Sequence, residues 1–228
     1  MSETIEMKVI ARIRSDFPTK FGIPRQSGLV RELRSTIVFE PEYRDENALR
    51  GLEQFSHLWL IWQFSEAVRE GWSPTVRPPR LGGNTRIGVF ATRSPFRPNP
   101  IGLTSVRLEG IARGGKDGTV LVVSGADLMD STPILDIKPY IPFTDAHADA
   151  ADGYTAETIR HALEVDFPQE LLARVPEDKK SALIGVLRQD PRPSYQEDAQ
   201  RVYGFRFAGQ EIRFRVADGR LTVVDVEE

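Results

Sequence analysis

Two short stretches hold the side chains best suited to chemistry. The first, FATRSPFRPNPIGLT at 90–104, sets Arg93, Arg97 and Asn99 among Pro95, Pro98 and Pro100. Proline fixes φ and stiffens such a loop. Guanidinium and amide donors held there between strands are placed to recognise an anionic or polar ligand. The second stretch, DLMDSTPILDIKPY at 127–140, offers Asp127 and Asp136, carboxylates able to accept a proton or a hydrogen bond. Asp136 and Lys138 stand two apart, so on a strand they share a face. Each stretch keeps a plainer alternative: a pinned surface loop with solvated arginines, and a surface ion pair beside an Asx-turn.

Charge along the chain supports an anionic partner for the first stretch. The 228 residues carry a formal net charge of −3, yet 77–113 holds Arg77, Arg80, Arg86, Arg93, Arg97, Arg107 and Arg113 against the single acid Glu109. Such a local excess suits phosphate neutralisation, whereas the acid-rich stretch 145–180 fits solvated surface. Cysteine is absent, which removes disulfides, thiolate metal sites and a cysteine nucleophile. His57, His147 and His161 share no i, i+4 spacing, so no metal is expected. Neither G-x-G-x-x-G nor G-x-x-x-x-G-K-[ST] occurs, which argues against a Rossmann or P-loop nucleotide site. The first 15 residues lack an apolar signal core and no stretch is long enough to span a bilayer, so a cytoplasmic protein away from membranes is expected.

These loops need a rigid frame, and short strands supply it. Residues 7–14 and 34–39 read as strands, and HLWLIWQF at 57–64 is an apolar run too short for a helix, hence a buried strand. Between them, 45–54 spaces Ala48, Leu49 and Leu52 as a short helix with Asp45 as its N-cap. The alternating stretch 102–113, the turn Gly114-Gly115-Lys116-Asp117-Gly118 and 119–124 form a hairpin. One more strand follows at 136–140. Six or seven short strands with few helices point to a sandwich or closed barrel. The Ala- and Asp-rich stretch 146–153 marks a domain boundary. Beyond it come helices at 168–175 and 177–187, then strands at 201–207, 211–216 and 221–226. The expectation is a mainly β protein: an N-terminal β-sandwich or closed barrel at 1–145, then a small α+β domain at 154–228.

FSHLWLIWQF, TVRPPRLGGNTRIGVFATRSPFRPNPIGLT and DLMDSTPILDIKPYIPF, in this order, together with FGIPRQSG and QDPRPSY, resemble the TsaA-like family in its TrmO-type tRNA (adenine-N6)-methyltransferase branch. The resemblance spans nearly the whole chain. It implies S-adenosyl-L-methionine as methyl donor on a TsaA-like β-barrel, tRNA as partner, and a homodimer. The implied acceptor is N6 of threonylcarbamoyladenosine at position 37. Carried over to this sequence, the donor contacts are Pro24, Arg25, Gln26, Ser65, Glu66, Arg93, Leu103, Ser124, Gly125, Ala126 and Asp127.

A base near the weakly nucleophilic N6 would be Asp136 or Asp127. Arg97, Asn99, Lys138, Arg192 and Arg201 are expected along the tRNA, with Tyr195 stacking on a base. Ser131 stands where the family pattern has glycine, which implies a turn with no demand for positive φ. Two competing functions remain at this point: a non-catalytic RNA-binding module on the same barrel, and a small-molecule methyltransferase.

Overall fold

Strands that alternate apolar and polar residues can bury one face only by turning it toward other strands. In the computed structural model, which describes residues 3–69, 71–78, 84–158, 162–192 and 198–228, six strands do this by closing a barrel. They are β1 (Ala11–Arg14), β2 (Arg34–Phe39), β3 (His57–Gln63), β6 (Ile101–Ala112), β7 (Val120–Ser124) and β8 (Pro133–Pro139), in the order β1-β2-β7-β6-β3-β8. Every pairing in the barrel is antiparallel. Ile13, Ile37, Leu58, Leu60, Leu121 and Ile134 are fully buried inside it. A two-stranded ribbon, β4 (Thr75–Val76) with β5 (Ile87–Gly88), precedes the arginine-bearing loop.

After the one-turn helix α1 (Pro142–Asp145), a second core forms around β9 (Glu164–Asp166), α2 (Gln169–Leu172), α3 (Glu177–Arg188), β10 (Tyr203–Phe207), β11 (Gln210–Ala217) and β12 (Arg220–Glu227). The sheet order is β10-β11-β12-β9, with β9 parallel to β12. Helix α3 buries Ala182, Leu183, Val186 and Leu187, a stripe at helical spacing facing the phenylalanines of β10 and β11.

The connection between β1 and β2 belongs to both cores. Its Phe17, Val30 and Leu33 are buried in the second cluster. The Lys179 ammonium bridges to the Asp16 carboxylate at 2.8 Å, and the Ala208 N–H donates to the Asp16 carbonyl at 2.9 Å.

Several elements differ from the sequence expectations. The stretch 45–54 is two short 3-10 turns, Glu46–Leu49 and Leu52–Gln54. Gly51 between them has φ 89°, a left-handed conformation that ends helical winding, although Asp45 does cap, accepting from the Asn47 N–H. β8 starts at Pro133 rather than 136, and helix α2 is a single turn. β9 was not expected at all: three residues give no periodicity to detect. Ser131 does adopt positive φ, 63°, so the turn makes the demand that a non-glycine residue was expected to exclude. Its N–H donates to Ile13 O at 2.8 Å, its hydroxyl to Asp130 at 3.0 Å, and its carbonyl accepts from Arg12 at 3.2 Å. Those bonds offset the left-handed strain. Among the described residues, no helix is long and apolar enough to cross a membrane.

The β1–β2 connection packs closely on the second core at Gly22, whose φ is 86° and where an added Cβ would lie 2.3 Å from the Phe205 ring. Gly22→Ala combines left-handed strain with overpacking, so it is expected to lower stability by about 2–4 kcal/mol. Denaturant titration checks this: the midpoint falls with an unchanged slope, and an unchanged midpoint would show that the β1–β2 connection yields freely.

Candidate active site

The PRQSG segment at 24–28 lies beside the end of β7 because two backbones meet there. The Gly125 N–H donates to Leu33 O and the Gly28 N–H to Gly125 O, both at 2.9 Å. Gly125 has φ 76°, and a Cβ on it would touch the Gly28 backbone at 3.4 Å. A side chain would therefore strain the turn and push the segment away. This seam sets the Ser27 N–H against the carboxyl of Asp127, just past β7.

Asp127 is half-buried and held by several donors. The Thr104 hydroxyl donates to its Oδ1 at 2.8 Å, and the Trp62 indole N–H donates to the Thr104 Oγ1 at 3.0 Å. Thr104 and Trp62 sit on neighbouring strands, with Trp62 opposite Gly102 in the β3–β6 register. A Cβ on Gly102 would fall 2.2 Å from the indole, so glycine makes the room in which that ring lies. Burial pushes the Asp127 carboxyl above the ordinary aspartate value. The bonds from Thr104, its own N–H and Ser27, and the Arg93 charge, pull the other way.

Two cavities meet at this carboxylate. One, of about 420 Å³, is lined by Pro24, Arg25, Gln26, Arg93, Arg97, Asn99, Leu103 and Thr104. The other, of about 260 Å³, is lined by Ser65, Glu66, Phe96, Leu128 and Met129, with Lys20 and Arg69. Trp62, Phe64 and Asp127 line both and form the shared wall. Aromatic and aliphatic walls with a few converging polar groups are the ordinary make-up of a small-molecule site.

Most of the expected donor contacts gather here. Pro24, Arg25, Gln26, Arg93, Leu103 and Asp127 line the larger cavity, and Ser65 and Glu66 the smaller. Arg93 donates to the Gln26 side chain, joining the 90–104 loop to PRQSG. Ser124 is buried and donates to Glu109 at 2.6 Å, while Gly125 and Ala126 act through backbone position. Asp136 is not brought to either cavity. Its carboxylate pairs with Lys138 at 2.8 Å on the outer side of β8, the plainer alternative of an ion pair.

The residues expected along tRNA are scattered. Arg97 donates to the carbonyls of Thr92 and Ser94 at 3.1 and 3.3 Å and so braces its own loop, beside the exposed Asn99. Arg192 is largely buried, with both guanidinium arms on Asp190 at 2.8 and 2.9 Å, and its carbonyl accepts from Arg25 at 3.2 Å. Arg201 is exposed, over the Tyr203 ring. Tyr195 lies outside the described residues. Thr104 and Trp62 were missed by reasoning from sequence. The signal was present, since Thr104 is the polar residue on the face of β6 that also carries Gly102 and Val106.

Comparison with known proteins places the chain in a family. A family model described as the tRNA-methyltransferase O N-terminal domain matches residues 12–146, and one described as the TrmO C-terminal domain matches 160–228. The tRNA (adenine(37)-N6)-methyltransferase of Escherichia coli (strain K12) is 40% identical over 232 residues, covering 98% of each chain. That of Eikenella corrodens is 48% identical, covering 72% of this chain and 93% of its own. The crystal structure of TrmO from Pseudomonas aeruginosa superposes with a TM-score of 0.78 at 35% identity, covering 99% of this chain and 100% of that one. With both halves matched in order and the fold shared along the full length, the chain belongs to the TrmO family of tRNA methyltransferases.

Proposed function

We propose that this chain is an S-adenosylmethionine-dependent tRNA methyltransferase that modifies N6 of threonylcarbamoyladenosine at position 37. The observation that carries the reading is the single carboxylate, Asp127, on the wall shared by two adjoining cavities. A transfer between two substrates needs such a meeting point. The lining suits the donor: Arg25 and Arg93 for a carboxylate, Trp62, Phe64 and Leu103 for a purine face, Asp127 for positive charge. When bound, S-adenosylmethionine supplies an electrophilic methyl group on a sulfonium.

Pro24, Arg25, Gln26, Arg93 and Leu103 would hold the donor with the Ser124–Asp127 backbone, and Ser65 and Glu66 would extend its contacts past the shared wall. Trp62 and Phe64 exclude water, which strengthens every electrostatic contact in the site. Asp127 accepts the N6 proton as the nitrogen lone pair attacks. A carboxylate with a raised pKa is the stronger base, and such a base contributes roughly 10²–10⁴-fold. Asp136, paired with Lys138 away from the cavities, has no part in this step.

In this reading residues 1–145 are the donor-binding and catalytic domain, and 154–228 contribute tRNA recognition. Exposed Asn99 and Arg201 are the residues of the expected set best placed to reach phosphates, with Lys138 adding a partly neutralised charge. Arg192 shapes its loop through Asp190. The reading includes a cytoplasmic homodimer. Absence of cysteine fits a reducing compartment, and the pairing rests on the family resemblance.

Arg93→Ala removes both the contact to Gln26 and the cation nearest in effect to Asp127. Donor affinity measured by calorimetry should fall about ten- to a hundredfold with an unchanged melting temperature. An unchanged affinity in the folded variant would remove Arg93 from the donor site.

The pH profile tests the base. Asp127 accepts a proton only when ionised, so kcat rises with pH through its raised pKa and is lost as pH falls through it. The acid limb should lie above the ordinary aspartate range, and Asp127→Asn should abolish that limb and lower kcat roughly 10²–10⁴-fold. A profile flat down to ordinary carboxylate pH, or a fully active Asn variant, would contradict the assignment.

A further inference from the structure

The reaction as read above uses Asp127 but gives no task to the hydrogen bonds that reach it from Thr104 and, behind Thr104, from the Trp62 indole N–H. Trp62 is 8% exposed and Thr104 2%, and their hydrogen bonds run in sequence to the carboxylate. The direction of that sequence is fixed by chemistry. An indole N–H can only donate, so it occupies a lone pair of the Thr104 oxygen. A threonine hydroxyl has one proton, and with Trp62 donating to its oxygen that proton is left to go to Asp127 Oδ1. Neither bond can reverse while Asp127 is ionised, since an indole nitrogen cannot accept and a carboxylate has no proton to donate.

We infer that Thr104, oriented by Trp62, is a positioning residue that fixes Oδ1 of Asp127 as a permanent acceptor and so directs the substrate proton to Oδ2. The inference rests on the proposed function for Asp127 as base. A proton arriving at Oδ1 would make that oxygen a poorer acceptor and weaken the Thr104 bond, whereas one arriving at Oδ2 leaves the chain intact. The backbone provides for this arrangement. The β3–β6 register sets Trp62 opposite Gly102, and the missing side chain at 102 lets the indole lie across the strand and reach Thr104 two residues on. A serine in place of Trp62 or a valine in place of Thr104 could not transmit the same orientation.

The hydrogen bond also favours the ionised carboxylate, so its loss raises the Asp127 pKa further. The charged groups that face this carboxylate are Arg93, with Arg25 and Arg97 around the larger cavity and Lys20, Arg69 and Glu66 around the smaller. None of them is altered by a change at Thr104.

The test is a cycle of Thr104→Val with Asp127→Asn, read by kcat, donor affinity and a carboxyl NMR titration of Asp127 in the protein without substrates. Thr104→Val is expected to lower kcat about ten- to a hundredfold, to leave donor affinity within about twofold, and to move both the acid limb and the Asp127 titration to higher pH. Thr104→Ser should restore all three. In the Asp127→Asn background, Thr104→Val should add no further loss. Additive losses would show that Thr104 acts on a ligand directly and would overturn the inference, as would an unmoved titration. A fully active Asp127→Asn variant would overturn the proposed base and this inference together, whereas failure of the Thr104 arms alone leaves the base standing. If the valine variant does not fold, Trp62→Phe frees the hydroxyl to turn, and the NMR titration alone then decides, by an upward shift or its absence.

Discussion

The site depends on a close approach of two backbones at Gly125. Because its N–H goes to Leu33 and its carbonyl receives the Gly28 N–H, the PRQSG segment cannot drift from the end of β7. Arg25 and Gln26 are thereby carried into the larger cavity, and the Ser27 N–H is set against Asp127. The same connection runs on to Val30 and Leu33, which are buried in the second core. One strand-to-strand link is thus anchored at both ends, and this wall of the larger cavity is held by the barrel and by the C-terminal core at once. Arg25 extends the tie, since it lines the cavity while donating to the Arg192 carbonyl.

Against this frame the carboxylates separate into two kinds. Asp145 accepts from the Ile141 N–H and the Trp59 indole, and Asp117 from Arg14, and both are held below the ordinary aspartate value by those bonds. They fasten exposed structure. Asp127 receives comparable bonds, yet burial outweighs them and raises its pKa. A carboxylate that remains costly to ionise despite several donors is poised to take a proton, which is the property a base requires. Asp136 is an ion-pair partner of Lys138, beside it on one strand face.

Much of the frame was legible in the chain. β2 and β3, the hairpin of β6 and β7, and the C-terminal meander follow from alternation and turn chemistry, because each is long enough for its period to show. The elements that escaped are short or strained: three-residue β9, the 3-10 turns on either side of Gly51, and the left-handed Ser131 held by its neighbours. At the site, resemblance pointed to eight residues that line the cavities. It did not find Thr104 and Trp62, since their meeting depends on strand register across 42 residues, and register is not written in either local stretch. Arg192 was expected along the tRNA from its proline-flanked loop, whereas the fold turns that guanidinium onto Asp190, two residues away, at the bend where Asp190 takes φ 52°.

The central claim is that the methyl group goes to N6 of an already carbamoylated adenosine beside the anticodon. Nucleoside mass spectrometry of tRNA incubated with the protein and a deuterated-methyl donor tests it most directly. The account predicts a labelled methyl on threonylcarbamoyladenosine from position 37 and none on tRNA lacking that modification. Labelled methyl on another nucleoside or on a small molecule, or tRNA binding with no transfer at all, would contradict it.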